Sequence, residues 1–141
     1  MAITNFVKRV QDVMRNDAGV NGDAQRIEQI VWILFLKIYD AKEQEWEFVN
    51  DDYKSIIPAG CKWRNWAVDE KDGEALTGEA LLSFVNNTLF PTLKKLEIDE
   101  STPMSQVMVR YAFEDANNYM KDGILLRQVV NIIDEIDFTE Y

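Results

Sequence analysis

Apolar residues recur along this chain with the period of a helix. Phe6, Val10, Val13 and Met14 fall at i, i+4, i+7 and i+8, one face of a first helix running to about Asn16, with Thr4 as its N-cap. Residues 17–22 read DAGVNG, a turn punctuated by Gly19 and Gly22. A long second helix is predicted over 23–49. Ile27, Ile30, Val31, Leu34 and Ile38 form its stripe, while Trp32, Ile33, Phe35 and Leu36 make its middle apolar all round. Such a helix is buried on most sides, so it is predicted to be the central one.

Residues 50–78 break the pattern. Pro58 ends the Tyr53–Ile57 piece, Cys61–Val68 alternates imperfectly as a short strand would, and 69–73 read as a polar loop. Periodicity then resumes. Thr77 caps a third helix with Leu82, Val85, Leu89, Leu93 and Leu96 in line. Pro91 lies within it and must kink or break it, because its ring clashes with the carbonyl of Asn87. Pro103 marks the first turn of a helix running to Phe113 or Asp115. Asp122 and Gly123 open the last helix, lined by Leu125, Val129, Ile132, Ile133 and Ile136. The fold class predicted is mainly α: about five helices in a compact bundle, with one irregular insert able to hold a short strand or hairpin. Residues 1–141 form one domain, long enough to bury a sizeable core.

Charge narrows the function. With 15 Lys+Arg against 25 Asp+Glu the net charge is −10, which excludes a simple basic nucleic-acid sleeve. The acidity is lopsided: residues 1–66 carry 9 basic and 10 acidic side chains, residues 67–141 carry 6 and 15. There is no His, which removes His-based triads and histidine metal sites. One cysteine, Cys61, permits no internal disulfide and reads as packing rather than nucleophile. The longest apolar run, Ile30–Leu36, falls far short of the roughly 18 residues of a membrane span, and the polar N-terminus shows no leader. A cytoplasmic protein with no membrane partner is expected. No nucleophile elbow, phosphate loop, dinucleotide fingerprint or calcium loop occurs, so catalytic, cofactor and metal residues are assigned to no position.

One segment carries binding chemistry. Lys62, Trp63, Arg64, Asn65 and Trp66 place two cations, an amide and two aromatics within five residues. That mixture can reach phosphates and stack on bases, making Lys62, Arg64 and Asn65 candidate DNA contacts. The bland alternative is that Trp63 and Trp66 cap the core while the cations reach out to water.

The ordered set of segments resembles a known family. Residues 22–43 (GDAQRIEQIVWILFLKIYDAKE), the Trp-rich Trp63–Val68, Leu89–Leu93 (LFPTL), 112–115 (AFED) and 126–138 (LRQVVNIIDEIDF) are similar to the start of the modification subunit of type I restriction-modification systems. The resemblance implies an accessory helical N-terminal domain of an S-adenosylmethionine-dependent DNA adenine methyltransferase subunit. It implies DNA, a specificity subunit and a second modification subunit as partners. The family's cofactor glycine motif and Asn-Pro-Pro-Phe/Tyr motif do not occur here, so no catalytic role transfers and no cofactor is expected within these residues. The catalytic core would belong to a longer parent chain, and an acidic, uncapped C-terminal end fits that picture. The rival reading is a free-standing acidic helical protein such as a DNA mimic.

Overall fold

The computed structural model describes residues 2–68 and 75–136. The predicted loop 69–73 and the acidic end beyond residue 136 lie mostly or wholly outside those residues. The elements are α1 (Ala2–Met14), α2 (Gly22–Val49), a 3-10 turn (Ala59–Cys61), α3 (Trp63–Trp66), α4 (Gly78–Phe84), a π turn (Val85–Leu89), α5 (Phe90–Lys94), α6 (Met104–Glu114) and α7 (Gly123–Asp134). The mainly helical fold stands, and the five expected helices are α1, α2, the α4–α5 rod, α6 and α7. The insert forms helical turns, and no strand occurs among the described residues.

Local chemistry explains most boundaries. α1 buries Phe6, Val10 and Met14 as the spacing requires, but starts at Ala2, so Thr4 lies inside its first turn rather than capping it. Asp122 does cap α7, accepting from the amides of Ile124 (2.8 Å) and Leu125 (3.1 Å). Thr77 occupies the N-cap position of α4 without a side-chain cap bond, and Pro103 sits at the N-cap of α6, one residue before its expected place. Around Pro91 the chain neither breaks nor stays purely α. The π turn widens the helix just before the ring, and the Phe90 amide bonds back to Val85. A wider turn carries the chain past a residue that cannot donate and whose ring needs space.

The central helix is α7, not α2. α7 packs on α1, α2 and α4, and Leu126, Val129, Val130 and Ile133 are fully buried. Gly123 lets its start touch α4: any Cβ there would collide with the Gly78 backbone. α2 flanks this centre, and an aromatic run ties it to α5 and α6. Trp32 meets Phe90 edge-on at 4.8 Å, Phe90 meets Phe113 at 5.5 Å, and Phe113 meets Phe35 at 6.0 Å.

The inward face of α2 is also not the expected stripe. Gln29, Trp32, Ile33, Leu36, Tyr39, Asp40 and Glu43 are buried, while Ile27 and Val31 are each 57% exposed. The buried amide and the two buried carboxylates on that face each have a partner. Gln29 donates to Asn118 (2.8 Å) and accepts from the Tyr119 amide (2.8 Å), Glu43 accepts from the Tyr53 hydroxyl (2.7 Å), and Asp40 accepts from Arg64 (2.9 Å). Asp17 is the other buried tie. Its carboxylate accepts from the amides of Gly19, Lys121 and Asp122, joining the α1–α2 turn to the α6–α7 loop.

Candidate functional site

The Lys62–Trp66 segment is one helical turn, which changes what its side chains can do. Trp63 and Trp66 stand three apart, so a helix puts them on the same face, where a strand would put them on opposite ones. Both are buried and pack edge-on with centroids 5.4 Å apart, and Trp66 also meets Phe84 at 5.6 Å. The indole N–H of Trp63 donates to Asp134 Oδ1 at 2.7 Å, and that of Trp66 to the Cys61 carbonyl at 3.1 Å. Neither ring is presented for stacking on a base.

The polar members of the segment turn toward α2. Arg64 donates through Nε to Asp40 (2.9 Å) and grips both oxygens of Glu47 with its two terminal nitrogens (3.0 and 2.9 Å). This fork fixes a planar guanidinium against a planar carboxylate. The Arg64 hydrogen bond holds the Glu47 carboxyl below its ordinary value, and Glu47 in turn keeps Arg64 firmly charged. The Lys62 ammonium lies 3.9 Å from Glu47, and the exposed Asn65 amide donates to the Ala59 carbonyl at 2.7 Å. Lys62 and Arg64 therefore face Asp40 and Glu47, two charges against two. Cys61 is buried, and burial pushes its thiol up, away from nucleophilic use.

Three side chains outside the segment, Lys37, Asp134 and Arg127, complete this corner; the sequence marked Asp134 only as an acid at a helix end and singled out neither Lys37 nor Arg127. Lys37 on α2 reaches Asp134 Oδ1 at 3.2 Å and the Asp134 carbonyl at 3.3 Å. An acid at a helix C-terminus, unfavourable by itself, is thus offset by a cation and an indole N–H. Arg127 is buried on α7 and donates to the carbonyls of Ala67 and Leu76 and to Asn131, so it ties both flanks of residues 69–74 to the central helix.

Other parts of the surface expose large apolar side chains. On α6, Met104, Met108 and Tyr111 follow at i, i+4 and i+7 and are 73%, 53% and 61% exposed. On α2 the outward face carries Ile27 and Val31, and its end carries Phe48 and Val49, 88% and 78% exposed. There α2 and the end of α7 enclose an open groove of about 780 Å³, in which Ala41, Phe48, Val49 and Ile136 are the apolar members of a wall otherwise made of polar and charged side chains from both helices. Among the described residues no cluster of His, Cys, Asp and Glu is arranged to hold a metal, and no helix is long and apolar enough to cross a membrane. A cradle for S-adenosylmethionine does not fit the described glycines either: they stand singly, and Gly19 and Gly123 are pressed against other backbone.

Comparison with known proteins places this architecture. The HsdM N-terminal domain family matches residues 3–133. The chain is 52% identical over 139 residues to the methylase subunit of the type I restriction enzyme EcoEI of Escherichia coli, covering 99% of this chain and 28% of that protein. A crystal structure of a modification subunit assigned to a type I restriction enzyme of Vibrio vulnificus superposes with a TM-score of 0.84, at 32% identity over 97% of this chain and 31% of that one. A chain from a structure on complex assembly and conformational transition of the type I restriction-modification system gives 0.80, at 31% identity, covering 96% and 26%. The chain thus spans about 28% of the curated relative it matches. Identity of this extent shows that the ordered resemblance is not chance.

Proposed function

The chain belongs to the HsdM N-terminal domain family, and from that membership we propose that it is the accessory helical arm of a type I restriction-modification DNA methyltransferase subunit. In this reading residues 1–141 are the N-terminal part of a longer, cytoplasmic, adenine-specific enzyme. S-adenosylmethionine binds elsewhere in that parent. The arm helps enclose DNA and contacts the specificity subunit and a second modification subunit, and carries no chemistry of its own.

The observation that carries the partner role is the α6 stripe of Met104, Met108 and Tyr111. Three large apolar side chains aligned on one exposed face cost solvation unless something covers them. Methionines suit such a face because their unbranched, polarisable side chains adapt to a partner's shape. DNA contact by Lys62, Arg64 and Asn65 is the finer part of the proposal. The local charge balance around them favours a few positioning contacts over strong attraction to phosphate, since Asp40 and Glu47 offset both cations.

The experiment uses the full-length subunit with its specificity subunit and DNA. Met108→Asp with Tyr111→Asp is expected to weaken assembly roughly a hundredfold while the subunit stays folded, since removing central apolar anchors costs about 2 kcal/mol or more. Unchanged assembly removes the partner role from α6. In the assembled complex, Lys62→Ala is expected to lower DNA affinity and flatten its salt dependence by about one counterion. An unaltered salt slope removes Lys62 from the DNA surface.

A further inference from the structure

α2 has a second apolar face, opposite the one that builds the core. Ile27, Val31, Leu34, Ile38, Ala41 and Phe48 follow spacings of four and three, with Glu45 filling the remaining place in the register; Ile27, Val31 and Phe48 are exposed, Ile38 and Ala41 half-buried, and Leu34 also packs partly against the core. The buried residues Gln29, Ile33, Leu36, Asp40 and Glu43 lie on the other side of the helix. The outward seam runs from Ile27 to Phe48, about 32 Å at 1.5 Å per residue. Alternating four-three spacing on an open helix face is the pattern that accepts another helix in knobs-into-holes packing.

Position points to what covers it. At its Phe48 end the seam opens into the groove between α2 and the end of α7, and Ile136, where the described chain leaves α7, stands in the groove wall. The matched relatives extend far beyond the matched segment, which covers 28%, 31% and 26% of their lengths. A helix of the same polypeptide, tethered through Ile136 in that wall, would reach the seam at an effective concentration no separate molecule attains. Resting on the reading that residues 1–141 open a longer chain, we infer that the outer face of α2 is the docking seam for a helix of the same polypeptide downstream of residue 141. The seam holds the arm at a set angle to the body that follows.

The test is thiol labelling of the full-length protein. Val31→Cys and Phe48→Cys are made singly, with Glu100→Cys on an exposed turn as the reference, and maleimide incorporation is read site by site by peptide mass spectrometry. Ile27→Cys replaces either variant that fails to fold. Both seam thiols are expected to label at least about tenfold more slowly than Glu100→Cys, because reaction then requires local opening. That protection should hold at every protein concentration and without other subunits. Labelling at the reference rate overturns the inference. Protection that develops only with rising concentration assigns the seam to a second copy and overturns it too, as does protection that needs the specificity subunit or DNA. A gene that stops at Tyr141 defeats the accessory-arm reading itself, whereas a gene that continues, with open seam thiols, defeats only the docking.

Discussion

The indole N–H of Trp63 donates to Asp134 Oδ1 at 2.7 Å, across 71 residues of sequence. One bond therefore closes the irregular insert onto the last turn of the central helix, beside the Lys37 ammonium at 3.2 Å. Trp63→Phe keeps an aromatic ring in the site and removes only the donor. It should destabilise the protein by about 1.5–3 kcal/mol, the range for losing a hydrogen bond to a charged group. Urea unfolding with an unchanged m-value checks this, and no shift in the midpoint would assign the stability of the corner to ring packing alone.

Asp17 is 3% exposed and accepts from three backbone amides. Asp17→Ala strands those donors and should cost about 3 kcal/mol. Amide exchange at Lys121 and Asp122 should accelerate more than exchange in α4. Uniform acceleration would instead mean that the turn opens only with the whole domain.

The Arg64–Glu47 fork gives a pH signature. Glu47 is held below its ordinary value of 4.5, chiefly by the Arg64 hydrogen bond. Its proton therefore binds the unfolded state more readily, and its stabilisation is complete above 4.5 and lost as pH falls through the lowered folded value. The Tm gap between the protein and Glu47→Gln should be constant from pH 8 to about 5.5 and close below 4.5. The pair is partly exposed, so the gap should be small and should shrink in high salt. A gap that widens on acidification contradicts this assignment.

Arg127 donates to two carbonyls that flank residues 69–74. Arg127→Met retains much of the aliphatic stem and removes the donors. A loss of about 3 kcal/mol in unfolding free energy is expected, as buried acceptors lose charged partners. Arg127→Lys should recover only part of it, since one ammonium cannot reproduce the fork. Full recovery by lysine would show that charge alone matters there.

Much of the molecule was legible from order and spacing. The stripe Phe6, Val10, Met14 is the buried face of α1 because a helix end rich in polar residues has only one apolar side to bury. Asp122 caps α7 because a carboxylate just before a helix accepts its first amides wherever the helix sits. The imperfect alternation of Cys61–Val68 misled, because the same residues read at a period of three bring Trp63 and Trp66 together.

The sequence by itself determined the mainly helical class, the positions of the five main helices within about three residues, and the family. Those depend on local periodicity, capping and residue identity. Tertiary structure alone decided which side of α2 faces inward. A helix apolar all round in its middle carries no periodic signal for the choice. The choice went to the side bearing Gln29, Asp40 and Glu43, because Asn118 and Arg64 from other segments, and Tyr53 from the turn after α2, satisfy them. The same long-range pairing turned Lys62 and Arg64 toward α2 and left Ile27 and Val31 outside. Most of the partners that set these orientations lie outside the helix's own period, beyond what its local pattern contains.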